Sequence, residues 1–373
     1  MKTRSIVKKF FALTAAAAMT LSLCACSSGT ITSPDGPTVN VGESENPSSD
    51  PDKSAGEPDS DTTYKVAIIK MMDHASLDEI ANAAAAELDK IAAGNGITIE
   101  YTITSGQGGD QTILKQLGDQ AIADGVDAII PVATTAAQIA AVCAEGTKTP
   151  VVYAAVSDPE EAQLTGIDYV TGTSDALNTK FILDMMLAQN PDVSKVGLLY
   201  SLSEANSKKP IADAKAYLDE KNIEYVEQTA STNDEVVAAA SALIAQGVDA
   251  IFTPTDNIIM SAELAIYEDL AEAGIPHYTG ADSFALNGAF LGYGVDYANL
   301  GVETAGMIAQ VLLDGADPAE TPVMTFDNGT ATVNIETCEA LGLDYDVLEE
   351  VFSPLCTKVQ TITTAESFDD LKG

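Results

Sequence analysis

The polar stretch "SLSEANS" (201–207) follows the apolar run 196–200 and contains serine, glutamate and asparagine, residue types that could do chemistry. A serine nucleophile needs a neighbouring base, and the two histidines, His74 and His277, lie in distant segments. Ser and Asn are also preferred helix N-caps, and a helix N-terminus attracts a carboxylate through its free N–H groups. The stretch is therefore predicted to start a helix and to bind a ligand, through Ser203, Glu204, Asn206 and Ser207. If Glu204 faces the ligand, this side would bind an ammonium group instead.

Similar polar loops follow other short apolar runs, and their side chains are further candidates for ligand contacts. In the first half of the chain these are Asp73, His74, Ser105, Gln107, Gly108, Thr134, Thr135, Ser157 and Asp158. In the second half they are Tyr200, Thr255, Asp256, Asn257 and Asp282. The aspartates Asp158, Asp256 and Asp282 could meet an ammonium group, although each could equally cap a turn or a helix. Tyr200 could stack on an aromatic ligand.

These loops recur because the chain repeats one architectural unit. The segment "DGVDAIIP" (124–131) has a counterpart in "QGVDAIFTP" (246–254), and "KVAIIK" (65–70) has one in "KVGLLY" (195–200). Correspondences in the same order indicate one unit used twice. Each unit alternates short β-branched runs with longer Ala-rich helical stretches, a pattern typical of βαβ crossovers and a parallel sheet. The sequence thus predicts an α/β fold with two doubly wound lobes, whose strand ends bind one small molecule between them.

Composition excludes several other classes of protein. With 18 Lys and Arg against 56 Asp and Glu, the formal charge of −38 would repel nucleic acid. Neither histidine has a Cys or His neighbour at ligand spacing, so no metal site is predicted. The nearest approach to a phosphate loop, "SGQGG" (105–109), lacks the spacing of dinucleotide and P-loop motifs. We therefore expect no cofactor, no catalytic residue and no enzymatic activity; an enzyme on a doubly wound scaffold is the less favoured alternative.

The amino-terminal residues have the pattern of an export signal. Four cations precede the apolar run "FFALTAAAAMTLSL", and small residues follow it. The ending "LCAC" (23–26) resembles a bacterial lipobox, which implies cleavage before Cys26 and lipidation of its sulfur. Residues 27–63 are rich in Ser, Pro, Gly, Asp and Glu and predict a disordered acidic tether. We expect an extracytoplasmic protein, lipid-anchored to the cell membrane as in Gram-positive surface lipoproteins.

Several segments together resemble a known family over about residues 64–345. They include "SGQGGDQTILKQLGDQAIADGVDAIIPVATTAAQ", "GLLYSLSEANS", "TPTDNIIMSA" and "GVDYANLGVETAGMIAQVLLDG". They are similar to substrate-binding proteins of ABC importers with the type I periplasmic-binding-protein fold, within the branch that includes tryptophan-, tyrosine- and phenylalanine-binding proteins. The resemblance implies two lobes joined by a multi-strand hinge, an amino acid-like and favourably aromatic ligand, and a membrane permease as partner.

The predicted organisation follows from the repeat and this resemblance. It comprises a signal peptide (1–25), the lipidated Cys26 and tether (26–63), lobe 1 (64–172 and 283–320), lobe 2 (173–282 and 321–356) and a tail (357–373). A hairpin is predicted around residues 327–329, where Asp, Asn and Gly favour a tight turn. We expect the protein to act as a monomer. A surface lipoprotein or sensor that binds a nucleoside or another small solute remains the alternative within the same fold.

Overall fold

The computed structural model describes residues 62–326 and 329–372. The predicted signal peptide, Cys26 and most of the tether lie outside these residues. The strands are β1 (Thr63–Lys70), β2 (Thr98–Ser105), β3 (Ala128–Val132), β4 (Val151–Tyr153), β5 (Val170–Ser174), β6 (Lys195–Tyr200), β7 (Glu224–Thr229), β8 (Ala250–Thr253), β9 (His277–Thr279), β10 (Leu291–Gly294), β11 (Met324–Thr325), β12 (Thr330–Asn334) and β13 (Lys358–Ile362). The helices are α1 (Ala75–Asn95), α2 (Gln111–Ala123), α3 (Thr134–Ala144), α4 (Thr179–Gln189), α5 (Ala205–Lys221), α6 (Asn233–Gln246), α7 (Asn257–Met260), α8 (Tyr267–Glu272), α9 (Asp282–Leu286), α10 (Tyr297–Leu313), α11 (Ile335–Ala340) and α12 (Tyr345–Phe352).

Two sheets form the centres of two lobes, and their strand orders repeat. The first sheet has the order β11-β5-β4-β3-β1-β2 and the second β13-β12-β10-β9-β8-β6-β7. The run β2-β1-β3-β4-β5 thus matches β7-β6-β8-β9-β10. All pairings in the first sheet are parallel, and in the second only β10 with β12 is antiparallel. The predicted α/β class, with two doubly wound lobes, is confirmed.

Helices cover both faces of the first sheet because its central strands are buried on both sides. Strand β3 is buried throughout, as expected for an apolar strand of a parallel sheet. Helices α1 and α10 pack against each other on one face, and α2 packs against α3 on the other. At Gly301 of α10 an added Cβ would lie 2.4 Å from the carbonyl oxygen of Ile80 in α1. The absence of a side chain at Gly301 therefore permits the close approach of these two helices.

The chain passes between the lobes three times, and the crossing points differ from the predicted boundaries. Strand β10 lies in the second sheet, although 283–320 is predicted for lobe 1, and only the following helix α10 packs on the first lobe. Strand β11 pairs with β5 of the first sheet, although 321–356 is predicted for lobe 2. The segment 357–373 is not a simple tail, because β13 completes the second sheet beside β12.

The strands that flank residues 327–329 belong to different sheets. Strand β11 pairs with β5, and β12 pairs with β10 and β13. The predicted hairpin between β11 and β12 is therefore wrong; Asp327 and Asn328 are outside the described residues.

The three cysteines of the described part are free thiols: Cys143, Cys338 and Cys356. Burial raises the pKa of Cys143 and of Cys338 to about 11, so both remain unreactive thiols near neutral pH. No helix within residues 62–326 and 329–372 combines the length and apolarity needed to cross a membrane.

Candidate ligand-binding site

A cavity of about 30 Å³ lies between the lobes, at the carboxyl ends of the parallel strands. Its lining comes from both lobes and includes seven residues predicted from the sequence, namely His74, Thr134, Ser157, Asn206, Thr255, Asp256 and Asn257. It also includes residues that the sequence did not single out, namely Ser76, Leu77, Ala133, Ala155, Asp175, Met260, Ala281, Ser283, Phe284 and Tyr297. None of these lining residues is a lysine or an arginine, so the cavity carries carboxylates without a cation.

Asp175 is the carboxylate on the wall formed by lobe 1. It follows β5 and is 5% exposed. The hydroxyl of Ser157 donates to its Oδ1 at 2.8 Å, and the hydroxyl of Tyr297 donates to its Oδ2 at 3.2 Å. Burial raises the pKa of Asp175, and these two hydrogen bonds oppose the rise. Since each carboxylate oxygen can accept about two hydrogen bonds, Asp175 retains capacity for a further donor.

Asp256 contributes to the opposite wall, but both of its carboxylate oxygens already accept hydrogen bonds from protein groups. Its Oδ2 accepts from the backbone N–H of Ser201 at 2.7 Å and from the hydroxyl of Ser207 at 2.6 Å. Its Oδ1 accepts from the N–H groups of Ile258 and Ile259, both at 3.1 Å. Burial raises the pKa of Asp256, and these donors oppose the rise. Asp256 therefore joins the loop after β6 to the start of α7 and has little remaining capacity for a ligand.

A second polar network connects the lobes through His74, Asn257 and Glu204. His74 Nε2 lies 2.9 Å from Asn257 Oδ1, and Asn257 Nδ2 donates to Glu204 Oε2 at 2.8 Å. Burial, and then the charge of Asp256, raise the pKa of Glu204. Four donors oppose the rise for Asp256, and fewer hydrogen bonds oppose it for Glu204, whose pKa is raised to about 8. Glu204, the residue before α5, thus contacts the lining residue Asn257 without lining the cavity itself.

Direct contacts hold the two lobes together around the cavity. Besides the His74–Asn257 contact, the hydroxyls of Ser157 and Thr255 lie 3.3 Å apart and those of Ser76 and Ser283 lie 2.5 Å apart. These pairs join strand ends of the first sheet to strand ends of the second. The cleft is therefore closed.

Two long helices of lobe 1 begin at the cavity without a capping side chain. Neither α3, preceded by Ala133, nor α1, preceded by His74, has a side-chain cap. Their first-turn N–H groups are thus available to a ligand. Ala133 and Ala155 both have positive φ, 79° and 56°, a strained conformation for alanine that concentrates at functional sites.

An apolar part of the lining is formed by Leu77, Met260 and Phe284. Phe284 packs edge-on against His277, with 6.1 Å between ring centroids. His277 is held in turn by Glu263 Oε1, 2.9 Å from Nδ1, and by Thr253 Oγ1, 2.8 Å from Nε2. The buried pair His277 and Glu263 therefore holds the ring against which Phe284 of the apolar lining packs.

The other predicted residues do not line the cavity: Asp73, Ser105, Gln107, Gly108, Thr135, Asp158, Tyr200, Ser203, Glu204, Ser207 and Asp282. The structure gives several of them other partners. Asp73 pairs with Lys70 at 2.7 Å, Asp158 caps the N–H groups of Glu160 and Glu161, and Tyr200 donates to Glu227. In this structure they take part in ion pairing, capping and packing, and their ligand contacts stay predictions. For Glu204 and Ser207 the role is indirect, through Asn257 and Asp256.

Asp282 illustrates how an acid near the cleft can limit stability. It begins α9, and its Oδ1 has no hydrogen-bond partner. Burial, together with the charges of Glu79 and Asp296, raises the pKa of Asp282 to about 7. The folded protein therefore binds more protons than the unfolded chain between about pH 4 and pH 7, and the free energy of unfolding falls as the pH rises through this window.

We predict that Asp282→Asn raises the melting temperature of the ligand-free protein at pH 8 and has little effect at pH 5. The gain at pH 8 should be about 2 kcal/mol in the free energy of unfolding, since a shift of one pKa unit corresponds to about 1.4 kcal/mol and partial exposure reduces the effect. Thermal unfolding of both proteins across pH 4–8 measures it, with Asp158→Asn, a change at a turn-capping aspartate outside the cavity, as the control. Parallel pH profiles for wild type and Asp282→Asn would contradict this account.

The comparisons with known proteins agree with this geometry. A family model described as "ABC transporter substrate binding protein" matches residues 65–353. A tyrosine-binding protein of Clostridioides difficile is 29% identical over 309 residues, covering 81% of this chain and 88% of that protein.

Solved structures show the same type I periplasmic-binding-protein fold. An ABC domain from Streptococcus pneumoniae in complex with L-Trp superposes with a TM-score of 0.72 at 29% identity, covering 81% of this chain and all of that one. A ligand-free, open substrate-binding protein with adhesive properties from Clostridium difficile gives 0.59 at 25% identity, with the same coverage of both chains. Proteins of this kind bind solutes for ABC transporters outside the cytoplasm and are generally not enzymes. The chain belongs to the family of ABC transporter substrate binding proteins.

Proposed function

We propose that this chain captures an aromatic L-amino acid between its lobes and delivers it to the permease of an ABC importer, without a chemical step. The related proteins that bind tyrosine and L-Trp support the class of ligand. The better superposition on the L-Trp complex than on the open structure supports a closed, ligand-binding arrangement of the lobes.

The observation that carries the proposal is Asp175. It is a buried carboxylate on the cavity wall, held by two hydroxyl donors and with no cation among the lining residues. A buried charge is costly unless it is paired, and the α-ammonium group of an amino acid supplies the missing cation. Asn206 adds a second acceptor: its Nδ2 donates to the carbonyl of Thr255, whereas its Oδ1 is buried without a partner.

The ligand carboxylate then fits at the uncapped start of α3. Asp175 follows β5 and Thr134 follows β3, two strands apart in the first sheet. At roughly 4.8 Å per strand the two groups are about 10 Å apart. That span accommodates an α-amino acid hydrogen-bonded at both ends, because each hydrogen bond adds about 2.9 Å. The apolar side chain of the ligand would lie against Leu77, Met260 and Phe284.

Calorimetric titration of the purified mature protein tests this function. We expect saturable binding of aromatic L-amino acids and none of their D-enantiomers, since exchange of the α-substituents moves the ammonium group away from Asp175. Failure to bind any amino acid, together with binding of a nucleoside or a sugar, would contradict the proposed ligand class.

We also propose that Cys26 carries a lipid that anchors the protein to the outer face of the cell membrane. The sequence "LCAC" supports this, and its Cys26 lies outside the described residues. Cys26→Ser should move the protein from the membrane fraction to the medium, as detected by immunoblotting of fractionated cells. Cys143→Ser, which changes a thiol of the folded part, is the matched control and should stay with the membrane. Retention of Cys26→Ser in the membrane fraction would exclude this anchor.

A further inference from the structure

Nδ1 of His74 is a buried polar atom without a partner on a side chain that lines the cavity. The contacts of His74 determine whether this Nδ1 donates or accepts a hydrogen bond. Asn257 Nδ2 donates to Glu204 Oε2, and the same amide therefore turns its carbonyl oxygen to His74 Nε2. The proton of His74 must then lie on Nε2. Nδ1 is left with a free lone pair.

His74 also remains neutral near neutral pH. Burial lowers the pKa of its imidazole, and the hydrogen bond to Asn257 opposes this only in part. The charged groups that act on it are Asp78, Lys70 and Asp73, and both of these carboxylates pair with Lys70. Nδ1 is therefore a hydrogen-bond acceptor in the ligand-free cleft.

This acceptor borders the apolar part of the cavity. His74 immediately precedes α1, whose residue Leu77 lines the cavity, and Asn257 opens α7, which ends at the lining residue Met260. In the proposed function the ligand side chain occupies this part, whereas its ammonium and carboxylate groups lie at the ends of β3 and β5. The atom that meets His74 thus belongs to the ligand side chain.

We propose that His74 is a specificity-determining residue whose Nδ1 accepts a hydrogen bond from an N–H or O–H group on the aromatic ring of the ligand. Tyrosine and tryptophan carry such a donor, and phenylalanine does not. This inference rests on the proposed function and narrows its ligand class. A site with a buried acceptor discriminates against a ligand that leaves the acceptor unpaired.

Titrations of the wild-type protein with tyrosine, tryptophan and phenylalanine test the inference. We expect at least one of the two ring-donor amino acids to bind about 10- to 100-fold more tightly than phenylalanine. In His74→Phe, which removes the acceptor and keeps an aromatic ring, the preference should fall to about twofold or less. Equal affinity of the wild type for all three ligands would overturn the inference and leave the proposed function intact, whereas binding of none would overturn both.

Two further variants separate recognition from folding. Tyr153→Phe removes another buried hydroxyl without a partner, one that does not line the cavity, and should retain the wild-type preference. Glu204→Leu frees the amide of Asn257 to rotate and should reduce the preference, whereas Glu204→Gln keeps an acceptor oxygen and should preserve it.

NMR of ¹⁵N-labelled histidine in the intact protein should show His74 protonated on Nε2 alone. A proton on Nδ1 in the ligand-free protein would overturn the inference even if His74→Phe does not fold.

Discussion

Replacing Asp175 by asparagine should weaken binding of the amino acid by about 100-fold, which corresponds to about 2.7 kcal/mol. The asparagine keeps the size of the side chain but removes the charge that pairs with the ligand ammonium. Losing one partner of a buried, hydrogen-bonded charge pair typically costs about 2–5 kcal/mol of binding free energy. Titration calorimetry of wild type and Asp175→Asn with the same ligand gives the ratio directly.

The same substitution should not destabilise the ligand-free protein at neutral pH. Because burial raises the pKa of Asp175, ionisation of this group lowers the free energy of unfolding as the pH rises, and asparagine removes that loss. Asp158→Asn is the matched control, since Asp158 follows the neighbouring strand and caps a turn outside the cavity. An affinity of Asp175→Asn within twofold of wild type would place the ammonium group elsewhere.

Glu263→Ala should lower the free energy of unfolding by about 1–3 kcal/mol, the usual cost of leaving a buried hydrogen-bonding group without its partner. Glu263 and His277 are 0% and 2% exposed. The single hydroxyl proton of Thr253 is donated to the carbonyl of Leu199 at 2.9 Å, so His277 must donate to Thr253 from Nε2, which leaves Nδ1 to share a proton with Glu263. Alanine leaves that site of the imidazole unpaired in the interior. Urea unfolding monitored by circular dichroism measures the loss.

A double variant tests whether this loss arises from the unpaired partner. Glu263→Met combined with His277→Phe replaces both polar groups by apolar side chains of similar size. Replacing both partners of a buried polar pair by apolar groups of the same shape is often neutral or stabilising, so the double variant should recover at least half of the loss. If Glu263→Ala alone lowers the free energy of unfolding by less than about 1 kcal/mol, water or a rearranged side chain must replace Glu263 as the partner of His277.

The sequence was sufficient to predict the repeated unit because its central strands are apolar and buried on both faces. Strands β3 and β8 occur in nearly identical segments, and their parallel pairing follows from the alternation with helices. The points where the chain crosses between the lobes were harder to predict from the sequence, because they depend on which sheet a short edge strand joins. Strand β11 has two residues, Met324 and Thr325, and no local signal distinguishes its two possible sheets.

The lining of the cavity was predicted only in part from the sequence. Searching the loops after apolar strands identified His74, Thr134 and Ser157, but it missed Asp175, because β5 reads "VTGTS" and lacks an apolar run. Ser105 and its neighbours were selected although β2 is an edge strand, and the end of an edge strand is displaced from the centre of the cleft. A search for carboxylates after every β-branched segment would have found Asp175.

The three crossings between the lobes have a consequence for the order in which the protein matures. Helix α10 (Tyr297–Leu313) packs against α1 on the first sheet, and β11 forms the edge of that sheet beside β5. The first 200 or so residues to leave the ribosome therefore contain the amino-terminal half of lobe 1 but lack the helix that completes one side of its core. The apolar side of α1 and the edge of its sheet are therefore completed only by residues that are synthesised about 200 positions after α1 itself.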